Sequence, residues 1–482
     1  MNFRFIFNVF GRVLMLLGAF MLSSIIWALV YHEDVVGAFV LSSLITLVCG
    51  AAMYLLTIKN LVSELSLRDS YFTVTFVWVV FSLFGALPYL LSGSITSFTD
   101  ALFETVSGFT TTGSSIISDV EALPKSILFW RSLTHWIGGM GIIVLVVAIM
   151  PLLRIGGYNL FKSETSGMTQ EKLSPKTTST AKRLWAVYVV LTFILIGLLL
   201  LGDMPFFDAI NHAFSTMATG GFSTKNTSVS GFSSYSQYVI AIFMFLAGMN
   251  FYLHYHFYKG RFKRVFSNIE LRTYFAVVVV VSLLITITVI AYDNSIGVGE
   301  ALRNALFQVI SVITTTGFAT HDYHDWPHAA WMLLFVLLFS GACVGSTGGG
   351  IKIIRHVVAY RHVLIYFKRT LHPNSVSLLK IGGEVIDEEK VGGLVSFMLL
   401  YMLTFSVGTV LMVFLGSDLL TSAAAVASNM GGVGSGIGSV GAFGNYSAFS
   451  DASKILLSLL MLIGRLELTT VLILFTRIFW KG

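Results

Sequence analysis

Charged residues are scarce in this sequence. They account for 11% of its 482 residues, whereas soluble domains carry about 25%. Hydrophobic residues account for 55%, and apolar runs of about 20 residues, the length that crosses hydrocarbon as a helix, recur along the whole chain. This composition argues against a soluble globular protein and predicts a polytopic membrane protein.

Cysteine is also rare. The sequence has two, Cys49 and Cys343, and both fall in apolar runs, so no disulfide framework is expected. No nucleophile and base pair stands out, which leaves a membrane enzyme only as a distant alternative. His321–Asp325 (HDYHD) has the spacing of no familiar metal site, and Gly436–Gly441 (GIGSVG) follows no predicted strand. We expect no enzyme activity, no organic cofactor and no metal site besides one for a transported ion.

The apolar runs predict ten membrane spans. The first is taken as part of the mature protein, because it is longer than the h-region of a signal peptide and the next apolar run follows almost at once. The spans are predicted at residues 9–31, 36–58, 70–92, 127–153, 184–202, 236–258, 272–292, 328–354, 392–416 and 453–478.

The net charge of +6 is distributed in the manner of a membrane protein rather than of a nucleic-acid-binding protein. With the N-terminus in the cytoplasm, 24 of the 30 Lys and Arg residues fall in cytoplasmic segments, which is the positive-inside bias. We therefore expect a lipid environment, two cytoplasmic termini and no nucleic-acid partner. The opposite face is rich in acids, among them Glu104, Asp119 and Asp203, and such a surface attracts cations.

Four short segments between predicted spans align with one another without a gap. Serine occupies the eighth position and glycine the last position of all four, and the glycines are 108, 96 and 117 residues apart. Each segment starts with a residue able to cap a helix, continues as a short helix and breaks at Thr and Gly. The segments are Asp100–Gly113, Asp208–Gly221, Asn304–Gly317 and Thr421–Gly434.

These segments predict the architecture. Non-helical backbone at membrane depth must be buried in protein or line an aqueous cavity, so the four loops are expected to face one axis. The predicted fold is all-α, with four tandem helix–pore-loop–helix repeats around a pseudo-fourfold pore and two extra N-terminal transmembrane helices. The predicted units are the N-terminal pair, residues 1–69, and pore repeats 1 to 4, residues 70–160, 161–265, 266–372 (with a broken second helix) and 373–482.

A ring of backbone carbonyls from four loops replaces the hydration shell of a potassium ion. Glycine lets such carbonyls point inward, and the pore helices aim their negative C-terminal ends at the ring. We therefore predict a potassium filter. Tight packing of small residues is the alternative, and it is disfavoured because four segments agree in register. The predicted filter consists of Thr111, Thr112, Gly113, Thr219, Gly220, Gly221, Thr315, Thr316, Gly317, Gly432, Val433 and Gly434.

The eighth span contains the stretch SGACVGSTGGGIK, residues 340–352, with five glycines. Each interior glycine costs a helix about 1 kcal/mol relative to alanine, so a break is predicted there, acting as a gate or as a close-packed kink. Arg465 in the last span is predicted to be an electrostatic barrier, a structural ion pair or cap being the alternative, and Glu467 is expected to point elsewhere. The predicted gate residues are Gly341, Gly345, Ser346, Thr347, Gly348, Gly349, Gly350 and Arg465.

Six stretches are distinctive in combination. They are GFTTTGSS (108–115), HWIGGMGIIVLVVAIMP (135–151), ATGGFST (218–224), TTTGFAT (314–320), GSTGGGIKIIR (345–355) and GRLELTTVLILF (464–475). Together they resemble the TrkH, KtrB and HKT superfamily of potassium transporters, and most closely its bacterial TrkH branch.

The resemblance implies potassium uptake across a bacterial inner membrane by a homodimer with one pore per protomer. It also implies a cytoplasmic TrkA-type regulatory subunit that binds nucleotides, and control of permeation by the glycine-rich stretch and Arg465. The basic segments Arg154–Arg183 and Lys352–Lys390 are then either docking surfaces or simple topology determinants. Symport of potassium with protons or sodium, for which Glu467 is the candidate acid, remains an alternative to passive uptake.

Overall fold

The computed structural model describes residues 1–58, 66–139, 141, 177–293, 295–375, 378–382, 384–386, 388–466 and 468–481. The chain opens with two long antiparallel helices, α1 (Phe3–Val30) and α2 (Val36–Thr57). The side chain of Asn2 caps α1 by accepting a hydrogen bond from the Phe5 N–H. Both helices are apolar on every face, as expected for helices that contact lipid as well as protein.

The four repeats follow in order along the described chain, each with a short helix in the middle. Repeat 1 has α3 (Leu67–Gly85), α4 (Leu87–Leu91), α5 (Phe98–Phe109) and α6 (Lys125–Gly139). Repeat 2 has α7 (Thr177–Leu200), α8 (Phe206–Ala218), α9 (Ser234–Ala247), α10 (Phe251–Tyr258) and α11 (Phe262–Phe266).

Repeat 3 has α12 (Ile269–Tyr292), α13 (Val298–Ile313), a 3₁₀ turn (Tyr323–Asp325), α14 (His328–Leu337), β1 (Ser340–Gly341), β2 (Ile351–Lys352) and α15 (Ile353–Leu371). Repeat 4 has the antiparallel pair β3 (Lys380–Ile381) and β4 (Glu384–Val385), then α16 (Glu388–Phe414) and α17 (Leu419–Gly431). It ends with a 3₁₀ turn (Gly438–Val440), α18 (Asp451–Arg465), α19 (Leu468–Leu472), a 3₁₀ turn (Ile473–Phe475) and α20 (Arg477–Lys481).

The described chain contains six helices that are long and apolar enough to cross a membrane, and two bent pairs that are long enough together. Their outward side chains are large and apolar, such as Leu56, Phe193, Ile287 and Leu403, each at least 60% exposed. In water this surface would be unfavourable, so it faces lipid. The chain is a multi-pass membrane protein, as the composition predicts.

Two predicted spans are not continuous, so the sequence interpretation of 236–258 and 453–478 as simple helices is wrong. The first bends by 100° between α9 and α10, and the second bends by 116° after α18. At the first bend the Cys343 N–H donates to the Gly248 carbonyl, and the Phe251 N–H donates to the Gly345 carbonyl. Backbone from repeat 3 thus replaces the helical hydrogen bonds that the bend gives up.

The predicted break in the eighth span is confirmed. Helix α14 ends at Leu337, and the chain resumes as α15 only at Ile353. Between them β1 and β2 pair in parallel, with Ser340 opposite Ile351. The residues Ala342–Gly350 between these strands form a loop inside the protein, called here the glycine-rich loop. Some predicted features lie outside the described residues. These are residues 140 and 142–153 of the predicted span 127–153, residues 154–176 of the basic segment, and Glu467.

Candidate ion pathway

The pore helices α5, α8, α13 and α17 confirm the four predicted half-crossing segments, with lengths of 12, 13, 16 and 13 residues. Their predicted N-caps are wrong, because the observed N-caps lie three to seven residues earlier. The N-cap residues are Ser97, Pro205, Gly297 and Asp418. The acids at Asp100 and Asp208 therefore lie in the first turn, where a negative charge is favourable.

The four loops after these helices share one backbone conformation. At the twelfth aligned position φ is 54° at Thr111, 54° at Thr219, 61° at Thr315 and 75° at Gly432. At the fourteenth position φ is between 81° and 85° in all four glycines. The residue between them has no positive φ in any of the four loops. Such an alternation of left-handed and ordinary conformations is expected to turn successive carbonyls toward the same side of the chain.

The backbone carbonyl of the shared serine anchors each loop. In every repeat the N–H of the thirteenth position donates to the serine carbonyl at the eighth position, over 2.8–2.9 Å. The pairs are Thr112 to Ser107, Gly220 to Ser215, Thr316 to Ser311 and Val433 to Ser428. Non-glycine residues with left-handed φ cost about 1–2 kcal/mol each, so three strained threonines at equivalent places indicate a site whose geometry is imposed for function.

The loops close into a ring. A Cβ placed on Gly113 would lie 2.0 Å from the Gly220 carbonyl oxygen of repeat 2. The same contact recurs from Gly221 to Thr316 at 2.1 Å, from Gly317 to Val433 at 1.9 Å, and from Gly434 back to Thr112 at 2.2 Å. Each loop therefore touches the next in the order 1, 2, 3, 4, 1. We call residues 111–113, 219–221, 315–317 and 432–434 the loop ring; it brings all twelve predicted filter residues together.

On one side of the ring lies a solvent-open cavity of about 100 Å³. It is lined by the four glycines of the fourteenth position and mostly by residues that follow them in sequence. It opens onto the ring from the side that the charge distribution predicts to be the exterior.

The glycine-rich loop lies against the opposite side of the ring. Thr347 Oγ1 donates to the Met217 carbonyl in repeat 2 at 3.1 Å, and the Gly349 N–H donates to Thr315 Oγ1 in repeat 3 at 2.8 Å. A Cβ on Gly349 would lie 2.4 Å from the Gly431 carbonyl oxygen of repeat 4. These partners precede the fourteenth position, so the loop covers the inner end of the ring.

The other predicted gate residues form the supports of this loop. Gly341 lies in β1, where a Cβ would meet the Gly349 oxygen at 1.9 Å. Gly345 (φ 74°) and Gly350 (φ 64°) allow the two turns, and Ser346 Oγ donates to the Cys343 carbonyl at 2.6 Å. A Cβ on Gly348 would lie 2.9 Å from the Thr314 carbonyl oxygen. Small residues are required here because backbone meets backbone.

Arg465 connects the glycine-rich loop to repeat 1. Its Nη1 donates to the Thr347 carbonyl at 2.7 Å, and its Nη2 donates to the carbonyls of Gly138 and Gly139 at 2.7 and 2.9 Å. Both glycines belong to α6, so the guanidinium joins that helix to the glycine-rich loop. The role of Arg465 as an electrostatic barrier stays a prediction.

Two acids of the pathway are not placed by sequence reasoning. Glu270 accepts hydrogen bonds from the N–H groups of Val344 and Ile354, at 2.9 and 3.2 Å, and so holds both ends of the glycine-rich loop. Glu104 is predicted on the acidic outer surface, yet it is fully buried and 2.8 Å from Arg131. In the sequence, each of these acids is recognisable only as an acid close to a predicted span. The periodicity of apolar residues does not identify the partner of either side chain.

The motif His321–Asp325 acts as a support. His324 Nε2 accepts from the Gly438 N–H at 3.1 Å, while its Nδ1 lies 2.9 Å from Asp322. Tyr323 donates to the Gly436 carbonyl two residues after the ring. Among the described residues, no group of three or more His, Cys, Asp or Glu side chains has the arrangement of a metal site.

The comparisons with known proteins agree over the whole length. The sequence profile of the TrkH family, described as a cation transport protein, matches residues 37–481. The chain is 37% identical to the Trk system potassium uptake protein TrkH of Vibrio parahaemolyticus, covering 100% of both chains. The chain belongs to the TrkH family.

Other relatives support the same assignment. TrkH of Salmonella typhimurium is 36% identical with 100% of both chains covered, and the Trk system protein TrkG of Escherichia coli is 34% identical with 99% of both covered. The crystal structure of the potassium transporter TrkH from Vibrio parahaemolyticus superposes with a TM-score of 0.90 at 36% identity, covering 100% of both chains. The TrkH family is a transport family, and this member is a transporter and not an enzyme.

Proposed function

We propose that this protein takes up potassium across the bacterial inner membrane through one pore per chain, with the loop ring as selectivity filter. The closed ring of loops carries the proposal: four loops approach one another in cyclic order, and each has the φ pattern expected to turn its carbonyls to one side. A ring of that kind replaces the water around potassium. The relatives are named as potassium uptake proteins, which supports the same ion.

The test is ion flux into liposomes that contain the purified protein. With potassium and sodium on opposite sides, the reversal potential is expected to lie toward the potassium equilibrium, with rubidium passing well and sodium excluded only in part. The looser selectivity is expected because the fourth loop carries Val433 where the others have Thr or Gly. A reversal potential that ignores the potassium gradient would contradict the proposed function, and a potential that shifts with a pH gradient would favour proton symport over passive uptake.

The glycine-rich loop and Arg465 are proposed as the gate. The loop contacts the inner side of the ring at three repeats and reaches the fourth through Arg465. In this arrangement the pathway below the filter is covered by backbone rather than by bulky side chains. The loop is held by hydrogen bonds and by contacts of small residues, so the loss of these contacts is expected to move it.

Shortening the glycine-rich loop is expected to raise flux. Deletion of residues 348–350, or the milder Thr315→Ala change that removes the acceptor of the Gly349 N–H, weakens the cover over the filter. We expect flux to rise several-fold, roughly 3-fold or more for the deletion, since each lost hydrogen bond is worth about 1 kcal/mol. The measurement is rubidium uptake into proteoliposomes.

Thr286→Ala is the control for Thr315→Ala. Thr286 is also buried, but its hydroxyl donates to the Ser282 carbonyl within α12 and takes no part in the loop ring. Its flux is expected to stay near that of the wild-type protein. A folded deletion variant with unchanged or abolished flux would count against the gate.

We further propose that two chains form the transporter, with both termini in the cytoplasm, and that a TrkA-type nucleotide-binding subunit docks on the cytoplasmic face. Helix α15 supports this, because it is rich in basic residues and its aromatic side chains Tyr360, Tyr366 and Phe367 are 57–66% exposed. Exposed aromatic and basic side chains on one helix are typical of a protein interface.

A further inference from the structure

The four pore helices differ at the fifth aligned position, which in repeats 1 and 2 contacts the chain just after the loop. The residues there are Glu104, His212, Gln308 and Ala425. The backbone of the ring is near-identical in the four repeats, whereas this position carries an acid, an imidazole, an amide and a methyl group. Of these four residues only Glu104 is an acid, and its side chain is 0% exposed. A buried carboxylate requires partners, and the network around it joins two different repeats.

Glu104 holds the chain just beyond the first filter loop. Its Oε1 accepts from Ser115 Oγ at 3.0 Å, and its Oε2 accepts from the Ile116 N–H at 3.0 Å. The same Oε1 accepts from Arg131 Nε at 2.8 Å. Ser115 lies two residues after the filter glycine Gly113, so the carboxylate fixes the outer exit of loop 1.

Arg131 extends this network to the second filter loop. Its Nη2 donates to Ser115 Oγ at 3.2 Å, and its Nη1 donates to the Ser223 carbonyl at 3.3 Å. Ser223 lies two residues after Gly221, as Ser115 does after Gly113. A planar guanidinium is suited to this task, because its donors reach several acceptors in a fixed geometry.

Helix α6 also supports loop 2 from behind. Arg131 and His135 are one turn apart on that helix, and the Phe222 ring lies on both: its centroid is 4.0 Å from the guanidinium carbon and 4.0 Å from the imidazole centroid. The His135 ring is so close to Gly220 that a Cβ there would lie 2.4 Å from Nδ1. The position of the Gly220 carbonyl therefore depends on this stack.

Repeat 4 has no such pair at the corresponding described places. Gly138 and Gly464 are equivalent, because each lies against the carbonyl oxygen of the tenth aligned position in its own repeat. A Cβ on Gly138 would lie 1.9 Å from the Phe109 oxygen, and a Cβ on Gly464 would lie 2.0 Å from the Met430 oxygen. Counting back seven residues places Arg131 opposite Leu457, which is a buried apolar residue. Opposite Glu104 stands Ala425, which is buried as well. The ion pair is thus a feature of the side of the ring formed by repeats 1 and 2.

We propose that Arg131 and Glu104 are positioning residues that set the preference of the filter for potassium over sodium, by fixing the carbonyls of loops 1 and 2 at a spacing suited to the larger ion. This inference rests on the proposed function of the loop ring. Loosening the pair lets these carbonyls move inward toward a smaller cation. Selectivity is then lost before conduction is.

The test compares reversal potentials of proteoliposomes under opposed potassium and sodium gradients. Glu104→Gln is expected to lower the potassium-to-sodium permeability ratio at least ~5-fold while cation flux persists, since filter carbonyls tolerate little displacement. Asp100→Asn is the control: Asp100 lies on the same helix α5 in an ion pair with Lys454, at 2.6 Å, but at the far end from the filter. Its permeability ratio is expected to equal that of the wild-type protein.

A second variant keeps the test decisive if Glu104→Gln does not fold. Replacing both partners, Glu104→Met with Arg131→Met, removes the buried charges together, which proteins often tolerate without loss of stability. A merely structural pair would leave this monodisperse double variant with the wild-type permeability ratio, and that result would overturn the inference. A ratio that falls equally in Asp100→Asn would overturn it too. An unselective wild-type protein would instead refute the proposed function.

Discussion

Replacing Gly317 by alanine is expected to abolish potassium uptake, with flux falling roughly 100-fold or more. The new Cβ would lie 1.9 Å from the Val433 carbonyl oxygen, far closer than two such atoms can approach. The φ of 81° adds strain for any L side chain. The Val433 oxygen belongs to the loop ring, so the steric clash is removed only if this filter carbonyl turns away from the pore.

The measurement is rubidium uptake into proteoliposomes, with size-exclusion elution as the check on folding. Gly93→Ala is the matched control, because Gly93 also has a positive φ, 71°, but nothing lies within 4 Å of its Cβ position. It carries the backbone strain without the collision, and its flux is expected to match the wild type. Wild-type flux in a folded Gly317→Ala variant would show that the ring does not conduct.

Replacing Arg465 by alanine is expected to raise flux about tenfold, because a shift of about 1.4 kcal/mol between the covered and open positions of the loop suffices for that factor. The guanidinium donates to three carbonyls on two segments, and hydrogen bonds from a charged donor contribute about 1.5–3 kcal/mol each. Its loss frees the Thr347 carbonyl and removes a positive charge next to the pathway. Both effects favour the passage of a cation.

Arg465→Lys separates the two contributions. Lysine keeps the charge but cannot hold both the loop and α6 with one planar group. Raised flux in this variant would therefore assign the effect to the lost hydrogen bonds. Arg12→Ala serves as control, since Arg12 contacts Asn8 and Tyr54 within the N-terminal pair of helices, away from the ring. A folded Arg465→Ala variant with wild-type flux would remove this arginine from the control of permeation.

The elements predicted best are those with a local and repeated signal. The filter loops are recognisable because serine and glycine recur at fixed places in four segments, and each of those residues has the same backbone role in all four repeats. The break after α14 is recognisable because its five glycines disfavour a helix on their own. The bend between α9 and α10 has no comparable signal in the sequence. It depends on contacts of Gly248 and Asn250 with the glycine-rich loop, which is distant in sequence.

The sequence by itself determined the membrane class, the fourfold repetition and the residues of the loop ring. The reason is that long apolar runs and recurring small residues act on residues close to them in sequence. Tertiary structure alone decided the cyclic contact of the loops, the cover over their inner end and the partners of the buried charges. Arg465 and Gly138 are 327 residues apart in sequence, and Glu104 is 27 residues from Arg131. A buried charge is stabilised by whichever polar groups the packed helices bring within about 3 Å of it, and that distance exists only once the fold has formed.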